Sequence, residues 1–414
     1  MSQMLCTTGW YCFRWNKRRC LVLILALTIL ACFLVIDSVH QTHHEISVDC
    51  SDKQSMDFIL DICRNYTAGY VTGSICQPLC KSNSISYIKC LGHKATDLVL
   101  LAWWKGQGNV ILKADVNLRS TKSFHFQGSI SEDQLALPYH IPLVAQFKEH
   151  LRAGYNILDH VIDRILFECD VGQDGTLTNR EALYCWHMMD KDEILLSLKL
   201  ENMQLVPGLY GTCGNLMAFE YIPGQSLRYP IVTDKRSWDF RVQLSISLIE
   251  LVERFDDISK ADNYLLCDSQ EGNYGVVQSP GGGYIAMSVD NDLTISEGSL
   301  QRSLNFEKNN SCSSNYDCSF IDCDVHCDTS TRKCSGIILS NNLQLICKKF
   351  FVPKVQNLLS KTLLHDPPVS ISGELQSLIH QCIAPVSPVN ISTKISRKLS
   401  KEFKTLLLKS ISDH

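Results

Sequence analysis

The sequence has no surplus of positive charge: its 39 Lys and Arg are outnumbered by 43 Asp and Glu, for a formal net charge of −4. A nucleic-acid surface needs a basic patch to neutralise phosphates, so no nucleic-acid partner is expected. Long apolar runs are scarce as well. The one that stands out, Cys20 to Ile36, is 17 residues long, near the lower limit for spanning a bilayer as a helix. No convincing small-x-small cleavage site follows it, so it reads as an uncleaved anchor and not as a signal peptide. A Lys-Asp-Glu-Leu type return signal is also missing, since the chain ends Ser410-Ile411-Ser412-Asp413-His414. Retention then falls to the anchor, the cytosolic residues or a partner.

Arg14, Lys17, Arg18 and Arg19 precede the run and Asp37 follows it. The positive-inside rule therefore puts residues 1–19 in the cytosol, 20–36 in the membrane and the bulk of the chain in the lumen, a single-pass type II topology. Twenty cysteines fit that compartment, and sixteen of them fall between Cys50 and Cys382. A dense, even set on the lumenal side reads as disulfides. His326 beside Cys323 and Cys327 raises zinc as an alternative, which an oxidising compartment disfavours. Sequons at Asn65, Asn309 and Asn390 are usable only on that side.

Asp170 to Glu181 fits the twelve-residue EF-hand spacing. Asp170, Asp174 and Glu181 supply carboxylates at positions 1, 5 and 12, Thr176 a backbone carbonyl at position 7, and Thr178 completes the candidate calcium set. Gly175 allows the sharp turn at position 6. Gly172 stands where Asp or Asn normally sits, so water must fill that place and weaker binding is expected. No second loop pairs with it. Helical spacing of Ile157, Leu158, Val161, Ile162, Ile165 and Leu166 before it, and of Ala182, Leu183, Trp186 and Met189 after it, brackets the loop.

Strand-like segments are read at Ser86–Leu91, Asp97–Trp104 and Asn109–Val116, with a second pair at Leu205–Thr212 and Asn215–Ile222. The chain beyond is mainly helical, from Ser237 to Phe255. Val110-Ile111-Leu112-Lys113 has the form of the kinase strand that carries the ATP-orienting lysine. A buried lysine needs a counter-charge, and Glu193 on the helix before Leu205 is the first choice, with Glu149 as an alternative. Glu220 and Ile222 resemble a hinge whose backbone binds an adenine edge. Asp257 and Asn263 resemble a catalytic loop, as proton acceptor and magnesium ligand, and Asp290 resembles the magnesium-binding Asp at a strand end. Departures are plain: Gly92-His93-Lys94-Ala95-Thr96 replaces a glycine-rich phosphate cover, leaving Lys94 as the phosphate contact. Asp257 stands six residues before Asn263 instead of five, with no His-Arg pair.

In this order, the anchor, cysteine frame, embedded EF-hand and kinase-like pieces resemble the divergent protein kinase domain 1 family of endoplasmic-reticulum type II membrane proteins. The most distinctive parts are Gly73-Ser74-Ile75-Cys76-Gln77-Pro78-Leu79-Cys80, Gly211-Thr212-Cys213-Gly214-Asn215-Leu216, Asn263-Tyr264-Leu265-Leu266-Cys267-Asp268 and the Cys312 to Cys334 cluster. The resemblance implies an α+β, bilobal protein-kinase-like fold. Its parts are a cysteine-rich cap (37–90), an N-lobe (86–222) with an EF-hand insert (157–189), and a C-lobe (223–414) with a cysteine-rich insert (312–347). It implies ATP with Mg2+ or Mn2+, plus Ca2+, as cofactors, and endoplasmic-reticulum residence. Two functions fit: a calcium-regulated kinase acting on an unknown lumenal protein or glycan, or a catalytically weak or inactive pseudokinase serving as a calcium-responsive binding module.

Overall fold

A computed structural model describes residues 50–93, 97–115, 159–169, 184–185, 188, 191–200, 203–222, 227, 237–258, 264–298, 300, 311–352, 362–384 and 389–412. The apolar run 20–36, the loop 170–181 and the residues Lys94, Glu149 and Asn263 lie outside them. No helix of the described residues is long and apolar enough to cross a membrane. In chain order the elements are α1 (Asp52–Thr67), α2 (Cys76–Cys80), β1 (Ile85–His93), β2 (Asp97–Trp104), β3 (Gly108–Asp115), α3 (Asp159–Cys169), α4 (Asp192–Lys199), β4 (Leu209–Cys213) and β5 (Leu216–Glu220). There follow α5 (Trp238–Ile258), β6 (Tyr264–Leu266), β7 (Tyr274–Gln278), β8 (Tyr284–Ser288), β9 (Thr294–Ser296), β10 (Val325–Asp328), β11 (Lys333–Ile338), α6 (Asn342–Ile346), α7 (Val369–Ile383) and α8 (Val389–Ser412).

Alternating side chains build the first lobe. Its antiparallel sheet runs β1-β2-β3-β5-β4, and the period of two sends Leu100, Leu112 and Ala218 to one face and Ile111, Met217 and Phe219 to the other. The first face is covered by the cap, through Phe58, Ile62 and Leu79 of α1 and α2. The second is covered by α3 and α4, through Val161, Ile165, Ile194 and Leu198. With both faces covered, β3 is as buried as a core strand, and a lysine on it has to be neutralised internally.

The two glycine-cysteine motifs cross one another. Gly73 (φ +142°) and Gly211 (φ +155°) have no room for a Cβ: one would meet Thr212 O at 2.0 Å and the other Ser74 Oγ at 2.1 Å. Ile75 N donates to Thr212 O at 3.1 Å and Gly214 N to Thr72 O at 2.9 Å, and a Cys76–Cys213 disulfide locks the crossing. All sixteen cysteines from Cys50 to Cys382 are paired. The disulfide reading beside His326 is thereby supported over zinc, since Cys323 bonds Cys267 and Cys327 bonds Cys312. Within the C-lobe, Ser237 Oγ caps α5 by accepting from Phe240 N at 3.3 Å. The buried face of α5 (Val242, Leu248, Val252, Phe255) packs on the β7–β8 hairpin and on Leu399, Phe403 and Leu407 of α8. The basic tail thus packs on its own domain.

Asp256 closes α5 in a half-buried place where Asn342 Nδ2 donates to its Oδ1 at 3.2 Å. Burial pushes its carboxyl up to about 6 despite that bond. Because the folded state holds the proton more tightly than the unfolded chain, stability at this site is lost as pH rises from about 4 through 6. Asp256→Asn should therefore raise stability at pH 7, by at most about 3 kcal/mol, and change little at pH 4. Urea melts at the two pH values check this.

Candidate active site

Register places the first group. Val99 pairs with Lys113 across β2 and β3, and Lys113 pairs with Met217 across β3 and β5. The three lie in a row on the cleft side of the sheet, lining a cavity of about 260 Å3 with Asp97, Ala114, Lys191, Asp192, Glu193, Asp290 and Asp292. Lys113 Nζ donates to Glu193 Oε1 at 2.5 Å, to Asp290 Oδ1 at 3.0 Å and to the Val289 carbonyl at 3.2 Å. Residues 80 and 177 positions apart are thus drawn to one ammonium group. Its charge also stands 5.5 Å from the centroid of the Phe219 ring.

Burial alone would lower the pKa of Lys113, but the Glu193 and Asp290 carboxylates outweigh it and the net shift is upward. Lys113 is therefore a fixed cation. For Glu193 burial pushes the carboxyl up while the ammonium beside it pulls the other way. Asn291 shapes the opposite wall. It is fully buried, its Nδ2 donates to Ser288 O at 2.9 Å and its Oδ1 accepts from Thr294 Oγ1 at 3.3 Å. An apolar ring at this position would lose both bonds, so Asn holds the turn that presents Asp290 and Asp292. Burial first, then the Asp290 and Glu193 charges, raise the Asp292 carboxyl to about 7.

Five carboxylates against two lysines make this an acidic cavity, which would repel a bare polyphosphate. Hard oxygen donors in such excess suit a divalent cation, and a cation would relieve the crowding that helps hold the Asp292 carboxyl up near 7. The residues therefore fit a metal–nucleotide and not the nucleotide alone. Glu220 and Ile222 do not line the cavity. The Glu220 N–H is already spent on Gly208 O at 2.8 Å, its Oε2 accepts from Gly208 N at 3.3 Å, and Ile222 packs near Gly275.

The structure does not bring Asp257 to the cleft. Helix α5 runs on to Ile258, so Asp257 sits on its last turn, with its side chain 69% exposed and paired to Arg397 at 2.8 Å. A solvated carboxylate neutralised by arginine is not a base beside the cleft, and the assignment of Asp257 is corrected. The pairing of β6 with β9 instead frames Cys267 to Asn273 as the loop leading into β7. Asp268 stands five residues before Asn273, the spacing that Asp257 and Asn263 fail to give. Asn273 Nδ2 donates to the Asp268 carbonyl at 3.0 Å and to its Oδ2 at 2.8 Å, and Val289 N donates to Asn273 O at 2.9 Å. One hydrogen bond therefore joins this loop to the residue before Asp290. From below, buried Asn342 of α6 accepts from Leu266 N at 2.9 Å and donates to Tyr264 O at 2.8 Å. The cue was the Asp-x-x-x-x-Asn spacing between two apolar strands.

Two family models match the chain. One, described as the protein-kinase domain of FAM69, covers residues 185–385; the other, described as the N-terminal cysteine-rich endoplasmic-reticulum region of FAM69, covers residues 13–153. Together they take in most of the sequence, and Lys113, Asp268 and Asp290 all fall within them.

Proposed function

Because the chain belongs to the FAM69 family, the divergent protein kinase domain 1 family that its motifs resemble, we propose that its kinase-like domain is a calcium-regulated, ATP-dependent phosphotransferase of the endoplasmic-reticulum lumen. One observation carries the reading: Lys113, Glu193 and Asp290 meet at a single cavity, and the bond from Val289 N to Asn273 O ties the Asp268–Asn273 loop to the residue before Asp290. Bound ATP with Mg2+ or Mn2+ would supply the transferable phosphoryl group and the charge to screen it. Lys113 would hold phosphate oxygens, and Glu193 fixes Lys113. Asp290, with Asn273, would hold the cation, and Asp268 would accept the proton of the incoming hydroxyl, borne by a lumenal protein or glycan. The Asp170–Glu181 loop would take Ca2+. A Cys169–Cys185 disulfide ties the residues flanking it, and α3, which leads into it, packs on α4, which carries Glu193. Ordering of the loop by calcium would thus bear on the Lys113–Glu193 pair. The run 20–36 would anchor the whole in the membrane.

A second reading, a pseudokinase that binds partners without transfer, is favoured by Asp97. It places a carboxylate at the base of the segment that should cover phosphates, where Gly92 is the one glycine. Thermal shift of the full-length protein separates the two in part. ATP should stabilise only with Mg2+ or Mn2+, more so at pH 8 than at pH 6, because Asp292 must lose its proton as the cation enters. Asp292→Asn should flatten that pH dependence, and Glu181→Gln should remove the calcium effect. Stabilisation by ATP with transfer of labelled phosphate supports the enzyme; stabilisation without transfer supports the binding module; no ATP shift with any metal removes the enzyme reading.

A further inference from the structure

We infer that Asp322, backed by the Cys267–Cys323 disulfide, is a positioning residue for Asp268, so that the cysteine-rich insert serves as a permanently engaged clamp on the catalytic loop. The inference rests on the phosphotransferase reading above. Asp268 has two chain neighbours, Cys267 and Ser269, and the turn from Phe320 to Cys323 grips both. Asp322 N–H donates to the Cys267 carbonyl at 2.9 Å, Asp322 Oδ2 accepts from Ser269 N–H at 3.0 Å, and Cys323 is bonded to Cys267. The other carboxylate oxygen, Oδ1, takes Lys349 Nζ at 2.7 Å from the turn that continues α6. One oxygen therefore faces the loop and the other faces a lysine on the turn that continues α6.

Ile321 shows how tightly that turn is determined. It is half exposed and has φ +54°, a conformation a β-branched residue rarely adopts unless its surroundings impose it. The Phe320 N–Cys323 O and Cys323 N–Phe320 O bonds, at 2.8 and 2.9 Å, close the turn around it and aim Asp322 at the loop. A general base has to lie within hydrogen-bond reach of its proton, and a displacement of about 1 Å can cost about 100-fold. The run Leu266 to Gln270 holds no cation that a phosphorylated segment could pair with. A carboxylate supplied by the insert and a covalent bond take that place, so loop order would follow the oxidation of Cys267 and Cys323 and not phosphorylation.

The test uses the full-length protein, with Asp322→Ala and Asp322→Asn, in steady-state kinetics and amide hydrogen exchange. Asp322→Ala is expected to lower kcat by about 10- to 100-fold, with KM for ATP within about twofold and faster exchange at Ser269. Asp322→Asn keeps an acceptor for the Ser269 N–H and should recover part of kcat; it stands in for the alanine variant if that one fails to fold. Unchanged kcat with unchanged Ser269 exchange overturns the inference, as does a loss of activity that merely tracks the loss of folded protein. Absence of transfer by the unaltered chain removes the phosphotransferase reading, and the positioning role of Asp322 in transfer with it. The Ser269 exchange then still decides whether the clamp exists.

Discussion

Asp268→Asn is expected to cut phosphoryl transfer by about 10²- to 10⁴-fold, the usual contribution of a positioned base, while Asp257→Asn leaves it unchanged. The substitution keeps the size of the side chain and leaves the Asn273 bond to the Asp268 carbonyl in place, so metal–nucleotide binding should persist. What it removes is the carboxylate proposed to accept the proton. At position 257 the carboxylate faces solvent and Arg397, where its loss touches nothing in the cleft. Initial rates with labelled ATP on both variants read the contrast, and equal losses in the two would return the catalytic loop to the end of α5.

Lys113→Met is expected to destabilise the first lobe by about 3–5 kcal/mol, the range seen when one partner of a buried ion pair is removed. Only 12% of the Lys113 side chain and 10% of the Glu193 side chain are exposed. Without the ammonium, Glu193 would face Asp290 and Asp292 as a third carboxylate in a site shielded from water. It would escape by taking up a proton, so the deficit should shrink as pH falls. Removing both partners costs less than the sum of the single losses, because no buried charge is then orphaned. Urea melts of Lys113→Met, Glu193→Leu and the double variant read this directly. A Lys113→Met protein as stable as the parent would show the lysine reaching solvent.

Much of this site was legible in the chain because its signals are local. The apolar alternation around Lys113 marks a buried strand lysine, and the helix opened by Asp192 and Glu193 supplies the acid such a lysine requires. The apolar strand before Asp290 marks the other wall. The sequence reading of Asp257 as the base went astray for a physical reason. Strand β6 is three residues long and owes its existence to β9, about thirty positions on, while the acidic pair at the end of α5 imitates the motif. Pairings such as Cys76–Cys213 and Cys267–Cys323 join motifs far apart in sequence, and spacing alone carries no information about them. Glu220 and Ile222 stay outside the cavity lining, and the Glu220 N–H is committed to the Gly208 carbonyl, a bond that no residue type announces.

The central claim is that Lys113, Glu193 and Asp290 form one metal–nucleotide site, and titration calorimetry of full-length protein with Mn·ATP tests it most directly. Saturable binding is predicted, dependent on the metal and lost in both Lys113→Met and Asp290→Asn, with each variant shown to be folded. Heat of binding that is the same without metal, or the same in the two variants as in the parent, would contradict it.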